Sequence, residues 1–565
     1  MFFPSVAGGS HRRLPGTVGP LVYGASFTNP KPVHKIWRSG DALSGTIAVP
    51  TGYSSVTWQI IQHQTFAVEK SGSGLTVSHT FTYKGTDKVN TFALLINATK
   101  SGKPDLWWLS PGEFTCLPQK PVSWNETWDL SSTGTGFHNG GWTDHPTGWT
   151  IRVIGAHSGS NKLGEFYYRS SDPLHPVHVV FDNCSITTNV VGTAFSPGSS
   201  QNIIFDGCTD EAVQYGLSIT RTAGANGENV YCTPSDSTHE SYNWVMCGMH
   251  VDNGVFTQGG TGFVMQMTNN VTFNANTYTF TQLTVFNMLM ENCKNEAYYV
   301  GHTRDTDVPP FCKISNALYY RCNSNHSRNE GFQVGGHITS ELFKCNWQDT
   351  GLGNEAGQMN NMQVNPGCQG MTVYMNQGLT ARDLHQGFMG NTGTGVEIFS
   401  NVLETTGSGF VVWLCQMWDD VATPPYQWSN HGNTIITPDG ICFSFYNKNN
   451  PSNGTFFNPH FNDANVIVSS TPNTNSNYQH FNGFVTTNVI MNNLYYTDIN
   501  TPGFTSVVGK DYRPASLSSP LFGFTQNTTS GGRRHAWAQY DFDGYKRNPL
   551  NVCCGAFSGF PLMTQ

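Results

Sequence analysis

What this sequence lacks first is charge: Asp, Glu, Lys and Arg together make up 12% of its 565 residues, about half the usual quarter. A chain so poor in charge and with 13% aromatics is neither a coiled coil nor a charge-driven disordered segment. Lys and Arg number 29 against 37 Asp and Glu, a net charge of −8. The basic footprint that neutralises phosphates is missing, so nucleic acid is not an expected partner. No apolar run approaches the roughly 18 residues of a membrane span, so no membrane insertion is expected. Met1-Phe2-Phe3 is cut by Pro4 and has no apolar core behind a basic start, so it does not read as a secretory signal. Among the 14 Cys no CxxC pair is followed by a matching pair or by HxxxH, which disfavours zinc. Phosphate-binding glycine loops and the GxSxG elbow are absent too, leaving nucleotide use and α/β-hydrolase chemistry without support. What is abundant is Gly, 60 residues, between short β-branched and aromatic stretches. The chain is too long for one ordinary core and fits an all-β repetitive architecture or two to three domains.

Internal repeats decide between these. Phe181-Asp182-Asn183-Cys184 recurs as Phe205-Asp206-Gly207-Cys208, and Cys232 follows at the same interval. Met290-Glu291-Asn292-Cys293 leads on to Cys322, Cys345 and Cys368. A period of roughly 23 to 29 residues, with strands broken by Gly and Asn, matches one coil of a β-solenoid. Leucine-rich repeats need a dense Leu pattern that is absent. The expectation is a right-handed parallel β-helix whose coils stack about 4.8 Å apart, with inward Cys ladders and Asn-lined bends. The cysteines then read as small buried hydrophobes rather than reactive thiols. Ahead of the coils, Ser55–Ile61 and Leu75–Tyr83 alternate as strands between Gly/Ser turns and predict a small β-sandwich. The phrase from Val77 to Leu95 resembles the final strands of immunoglobulin-like modules of the polycystic-kidney-disease type. The expected division is an N-terminal segment at 1–29, the immunoglobulin-like sandwich at 30–103, the β-helix at 104–500 and a closing segment at 501–565.

Both ends of the coil region carry a family resemblance. Pro104-Asp105-Leu106-Trp107-Trp108-Leu109-Ser110-Pro111-Gly112-Glu113-Phe114 looks like an opening strand and Gly turn, followed by Gly148-Trp149-Thr150-Ile151-Arg152. Asp511-Tyr512-Arg513, then Asp541-Phe542-Asp543-Gly544 and Gly555-Ala556-Phe557, look like a closing segment. With these the chain resembles the right-handed parallel β-helix proteins of the polysaccharide-lyase-like and phage tailspike type. The resemblance implies a polysaccharide or cell-surface glycan as partner, an extracellular or virion setting, and a homotrimer or contact with other virion proteins. A secreted bacterial lyase or glycoside hydrolase, or a spike without enzymatic activity, are the alternatives.

Candidate chemistry lies in a second repeat. Asn295-Glu296-Ala297, Asn329-Glu330-Gly331 and Asn354-Glu355-Ala356 share one pattern, continued to Gln333 and Gln358 in the last two. Taken as one coil apart, Glu330 and Glu355 would stand about 5 Å from each other. Carboxylates that close drive one another's pKa apart or hold a cation, so acid-base work and Ca²⁺ ligation by Glu296 and Glu330 are both open. No cofactor is required. About 5 Å suits a retaining glycosidase pair. Duplicated turn chemistry is the plain alternative. Related lyases carry an Asp-Gly-Phe-x-x-Lys segment; here Glu330-Gly331-Phe332-Gln333-Val334-Gly335 puts Gly where the lysine base would be. His337 and Arg328 flank the segment as candidate assistants to Glu330 and Glu355. Gln333, Gln358, Trp347 and Trp418 are candidate sugar contacts, the tryptophans through their ring faces.

Overall fold

The computed structural model describes residues 23–27, 36–132, 143–159, 163–164, 166–188, 193–208, 213–222, 227–232, 240–254, 260–265, 272–273, 276–277, 279–301, 313–350, 360–364, 368–381, 386–391, 395–405, 411–417, 428–437, 441–447, 461–469, 478–481, 489–491, 493–523, 535–547 and 553–558. Parallel strands stack coil upon coil from Glu126–Asp129 to Leu494–Tyr496, forming a parallel β-helix. Three strands recur in each full turn. In one they are Glu341–Phe343 on the first face, Asn346–Gln348 on the second and Asn360–Val364 on the third. The first two faces belong to a 25-stranded sheet and the third to a 9-stranded one. Coil length varies from 23 to 41 residues, so the insertions sit in the turns while the strands keep register.

Left-handed residues make the corners. Between the first and second faces Gly248, Asn287, Arg321, Lys344, Met375, Ser400, Gly432 and Ala464 occupy one phase, each with φ between +50° and +70°. Before the first face Asn202, Asn243, Gln282, Asn316, Thr339, Gly370 and Gly395 occupy another phase, with φ between +48° and +70°. Asn and Gly tolerate this conformation best, which accounts for their frequency here. The strands between corners alternate: on Thr279–Cys293, Met288 and Met290 point inward while Leu289 and Glu291 are half-exposed. Inward residues fuse into one continuous core running from Trp128 to Ile467.

Just past the first-to-second-face corner, the inward residue changes chemistry along the stack. Met249, Met288, Cys322 and Cys345 give way to Asn376, Asn401, Asn433, Asn465 and Asn493. Each Asn Oδ1 accepts the backbone N–H of the rung before it, at 2.9 to 3.0 Å. The Nδ2 of Asn376, Asn401, Asn433 and Asn465 in turn donates to the next Oδ1. The expected inward Cys ladder therefore covers only part of the stack. Cys322 and Cys345 are in phase, but Cys368 aligns with His337 and Cys184 faces Leu217.

The N-terminal module has a three-stranded antiparallel sheet and a five-stranded sheet that share core residues. Gly24–Phe27 belongs to the smaller sheet, pairing with Ala42–Ala48, so the module starts inside the expected 1–29 segment. Leu106–Leu117, expected to open the β-helix, is instead a strand of the five-stranded sheet. It runs antiparallel to Thr91–Thr99 and parallel to Ile36–Arg38. Its alternate residues Leu106, Trp108 and Phe114 are buried in that module's core, which overrides the local likeness to a coil.

The module lies along the first face. There Phe286, Tyr320, Phe343, Tyr374, Phe399 and His431 stack ring on ring at 4.9 to 5.2 Å, coil after coil. His63 of the module slots between Phe343 and Trp537, and its Nε2 meets Tyr374 Oη at 2.6 Å. Beyond Leu494–Tyr496 the chain forms an antiparallel pair, Phe504–Ser506 with Asp511–Pro514, and covers the outer side of Val402, Ile436, Val466 and Val468. Arg547 pins this return by donating to the carbonyls of Cys553, Gly432 and Gly555 and to Ser400 Oγ.

Candidate functional site

With the first face covered by the N-terminal module and the later coils wrapped by the C-terminal return, the second face of the earlier coils is left open. Two outward rows run along it in register. One is Ser185, Ser218, His250, Leu289, Asn323 and Asn346; the other is Thr187, Thr220, Asp252, Glu291, Asn325 and Gln348. Every one of these is half-exposed, while the residue between the two rows on each strand is buried. The rows are polar almost throughout, and among the described residues no second sheet covers them, although the Tyr215 ring packs against His250 with centroids 5.5 Å apart.

Ionisable groups concentrate in the middle coils. His250 Nε2 lies 2.7 Å from Glu291 Oε2, with side-chain exposures of 28% and 26%. That hydrogen bond holds the Glu291 carboxyl below its ordinary range. Asn292 Nδ2 donates to Asp252 Oδ1 at 2.8 Å, and Asn325 Nδ2 reaches Glu291 Oε1 at 3.4 Å. At the next corner His326 Nε2 sits 3.2 Å from Asp349 Oδ2. The hydrogen bond to Asp349 raises the His326 pKa. This constellation can accept hydrogen bonds at several points on adjacent coils, and His326, its pKa raised by Asp349, can hold a proton there.

The residues expected from sequence are distributed differently. Glu296 and Glu330 do stack in phase, because Tyr298 pairs with Phe332. The same register extends back through Thr261 to Glu228, and Thr261 donates to both flanking carboxylates. Burial, with Glu296 adding to it, raises the Glu228 pKa. Glu330 is buried, and the residue opposite it on the next coil is Asn360, not Glu355. The step there is longer than the 25 residues between the two Asn-Glu motifs. Gln333, buried, faces Gln363 in the third-face sheet. Arg328 is half-buried at the corner, its backbone N–H bonded to Cys293 O. Glu355, Gln358 and Trp418 lie outside the described residues.

His337 and Trp347 are interior. Trp347 has no exposure and packs in the core with Phe332. His337 is equally closed, with Nε2 2.7 Å from Tyr319 Oη and Nδ1 2.8 Å from Gly335 O. Burial pushes its pKa down to about 4. A histidine so held is a neutral strut rather than a surface acid or base. It binds a proton more readily unfolded than folded, so its contribution to stability is complete above about pH 6.5 and shrinks as pH falls toward 4. Thermal melts should show a fall in stability across that window that is shallower in His337→Gln; equal slopes would refute the assignment.

Among the described residues one group of three candidate metal ligands lies within 4.8 Å: Asp206, Cys208 and Cys247, all buried. Asp206 already accepts Arg38 and His178. Burial keeps the Cys247 thiol protonated, so the donor set does not suit a cation. Sequence reasoning passed over Asp252, Glu291 and His250, although Met290-Glu291-Asn292-Cys293 was visible as a repeat. The signal that finds them is a polar residue at most outward positions, Leu289 excepted, flanked by Met or Val inward.

The fold and its open face define a parallel β-helix protein with an N-terminal β-sandwich and a polar, carboxylate-bearing strip. No protein family and no curated protein matches the sequence. Solved structures similar to it include the following three. One is the enzymatically active domain of tailspike protein 2 of bacteriophage CBA120, at 12% identity and a TM-score of 0.29, covering 66% of this chain and 50% of that one. The chain thus spans half the length of that tailspike domain. Another is the A-module of a mannuronan C-5 epimerase of Azotobacter vinelandii, at 10% identity and 0.28, covering 62% and 90%. The third is a family 28 exopolygalacturonase of Yersinia enterocolitica, at 7% and 0.27, covering 83% and 98%. Among the described residues no helix is long and apolar enough to cross a membrane.

Proposed function

We propose that the chain binds an extended polysaccharide along the second face between Ser185 and Gln348. The observation that carries this reading is the register of the two outward rows. Consecutive coils present hydrogen-bonding side chains about 4.8 Å apart, a spacing comparable to the repeat of an extended glycan. A row of fixed polar groups on a rigid solenoid loses little entropy on binding a repeating ligand. The setting belongs to the same proposal: a virion-borne or secreted protein, most like a tailspike and assembled as a homotrimer. The low charge and the separate N-terminal module support it. Ca²⁺ between Glu296 and Glu330 is proposed as an accessory ligand on the strength of their stacking.

The test is affinity electrophoresis through gels containing different surface polysaccharides, with and without Ca²⁺. At least one polysaccharide should retard the protein, and the double variant Asn323→Ala, Asn325→Ala should lose at least half of that retardation. Retardation unchanged in the variant would overturn the placement on the second face. Turnover by Glu330 and Glu355, assisted by Arg328, is a second reading, supported by the in-phase Asn-Glu motifs at 295–297 and 329–331. New reducing ends in the same incubations that survive Glu330→Gln and Glu355→Gln would remove both residues from it.

A further inference from the structure

Resting on that reading, we infer that the second face selects glycans without negative charge, rich in hydroxyl and amide groups, and rejects uronates and sulfated or phosphorylated chains. The rows from Ser185 to Gln348 contain no Lys or Arg. Their charged members are Asp252 and Glu291, with His250 held against Glu291. The groups bordering them add Glu228, Glu296, Glu330 and Asp349 against Lys294, Arg328 and His326. Arg321 and Lys344 stand at the corner two residues before Asn323 and Asn346, Arg321 over the Tyr320 ring and Lys344 donating to Phe542 O at 2.7 Å, and Arg221 is buried against Asn229. Among the described residues, acidic groups therefore outnumber Lys and Arg on and around the strip even with Arg321 and Lys344 included. A polyanion laid along it would bring like charges together in a partly desolvated groove, and the cost of that juxtaposition is what rejects it.

Hydrogen-bond polarity points the same way. Carboxylates only accept, so Asp252 and Glu291 call for donors. Asn325 Oδ1 and Asn346 Oδ1, on neighbouring coils, are buried acceptors without a hydrogen-bond partner among the described residues. Only an outward rotation of these half-exposed amides would present them to O–H and N–H groups. Hydroxyls and N-acetyl amides supply such donors, whereas the carboxylate of a uronate supplies none. Recognition of acidic chains is expected to rely on Arg or Lys forks, and the rows offer no position that holds one.

The experiment measures binding of the full chain to size-matched oligosaccharides at low salt: glucose oligomers, N-acetylglucosamine oligomers and galacturonate oligomers. A neutral series should bind at least tenfold more tightly than the galacturonate series, and adding salt should narrow the gap. The double substitution Asp252→Lys, Glu291→Lys should shrink or reverse the preference, with Asp252→Asn, Glu291→Gln as a variant of near-native shape falling between. Tighter binding of galacturonate by the native chain overturns the charge selection while leaving polysaccharide binding intact. Equal binding of all three series, insensitive to the Lys substitutions, overturns it as well. No binding of any oligosaccharide or polysaccharide overturns the underlying reading, and this inference with it.

Discussion

Asp206→Ala should destabilise the protein by about 3–5 kcal/mol, the usual cost of orphaning one partner of a buried ion pair. Asp206 is fully enclosed on the first face. Its Oδ2 takes Arg38 Nη1 of the N-terminal module at 2.6 Å and His178 Nε2 at 2.9 Å, while Oδ1 accepts Cys208 N–H at 2.9 Å. Arg38 continues to Cys208 O at 2.8 Å. The arginine is thus the module's charged anchor in the solenoid, and without Asp206 its guanidinium stays in a dry site facing neutral groups. Despite the cost of burial, Arg38 and His178 hold the Asp206 carboxyl far below the ordinary range. A depressed carboxylate pKa contributes stability that is complete above the unfolded value, near 4, and is lost as pH falls through the folded one. The native chain should therefore hold its module down to strongly acid pH, and Asp206→Ala should lack this acid-dependent term. Replacing both partners, Arg38→Met with Asp206→Leu, should recover much of the loss, because no charge is then stranded. Unfolding followed by tryptophan fluorescence, with limited proteolysis reporting release of the module, reads all three variants. A loss below about 1 kcal/mol in Asp206→Ala would show that the anchor is not where the module is held.

How much of this was legible in the sequence depended on which repeats carry register. The Cys322 to Cys345 interval is one true coil, and the alternating strands around it announce a solenoid. Phe181 and Phe205 do not stack, since Val179 faces Phe205. Matching words at a fixed interval mislead when turns vary from coil to coil. The Asn ladder was hidden for the same reason: its rungs are 25, 32, 32 and 28 residues apart. Glu330 is in register with Asn360, 30 residues on rather than 25, and Glu355 lies outside the described residues. Glu296 and Glu330 are in register because both motifs immediately precede a third-face strand. Asp252 carried no motif, and Glu291 stood out only as part of the Met290-Glu291-Asn292-Cys293 repeat. Only the three-dimensional fact that their face is left uncovered gives them meaning, and coverage by a distant N-terminal module and C-terminal return cannot be read from local pattern. The same holds for Leu106–Leu117, whose partners Thr91–Thr99 and Ile36–Arg38 decide its sheet.

Asn433→Ala should cost on the order of 3 kcal/mol, and Asn433→Asp should cost at least as much near neutral pH. Asn433 is fully buried, its Oδ1 accepting both the backbone N–H and Nδ2 of Asn401 at 3.0 Å. Its Nδ2 donates to Ile398 O at 3.1 Å and Asn465 Oδ1 at 3.0 Å. Alanine strands a backbone donor at the corner, and each buried group left unsatisfied costs about 1–3 kcal/mol. Aspartate keeps the acceptor and the shape but loses the donor. As a carboxylate it would set a negative charge beside Asn465 Oδ1 and Ile398 O, with no cation in the ladder. Burial should therefore raise its pKa, so the variant is expected to gain stability as pH falls and the acid becomes a donor again. That slope is opposite in sign to the contribution of His337, which loses stability toward acid in the same window, whereas the Asp206 contribution is lost only below about pH 4. Melting temperatures of native, Ala and Asp proteins between pH 4.5 and 8 separate the cases. If the Asp variant instead tracks the native slope, position 433 is solvated and the ladder does not hold the corner.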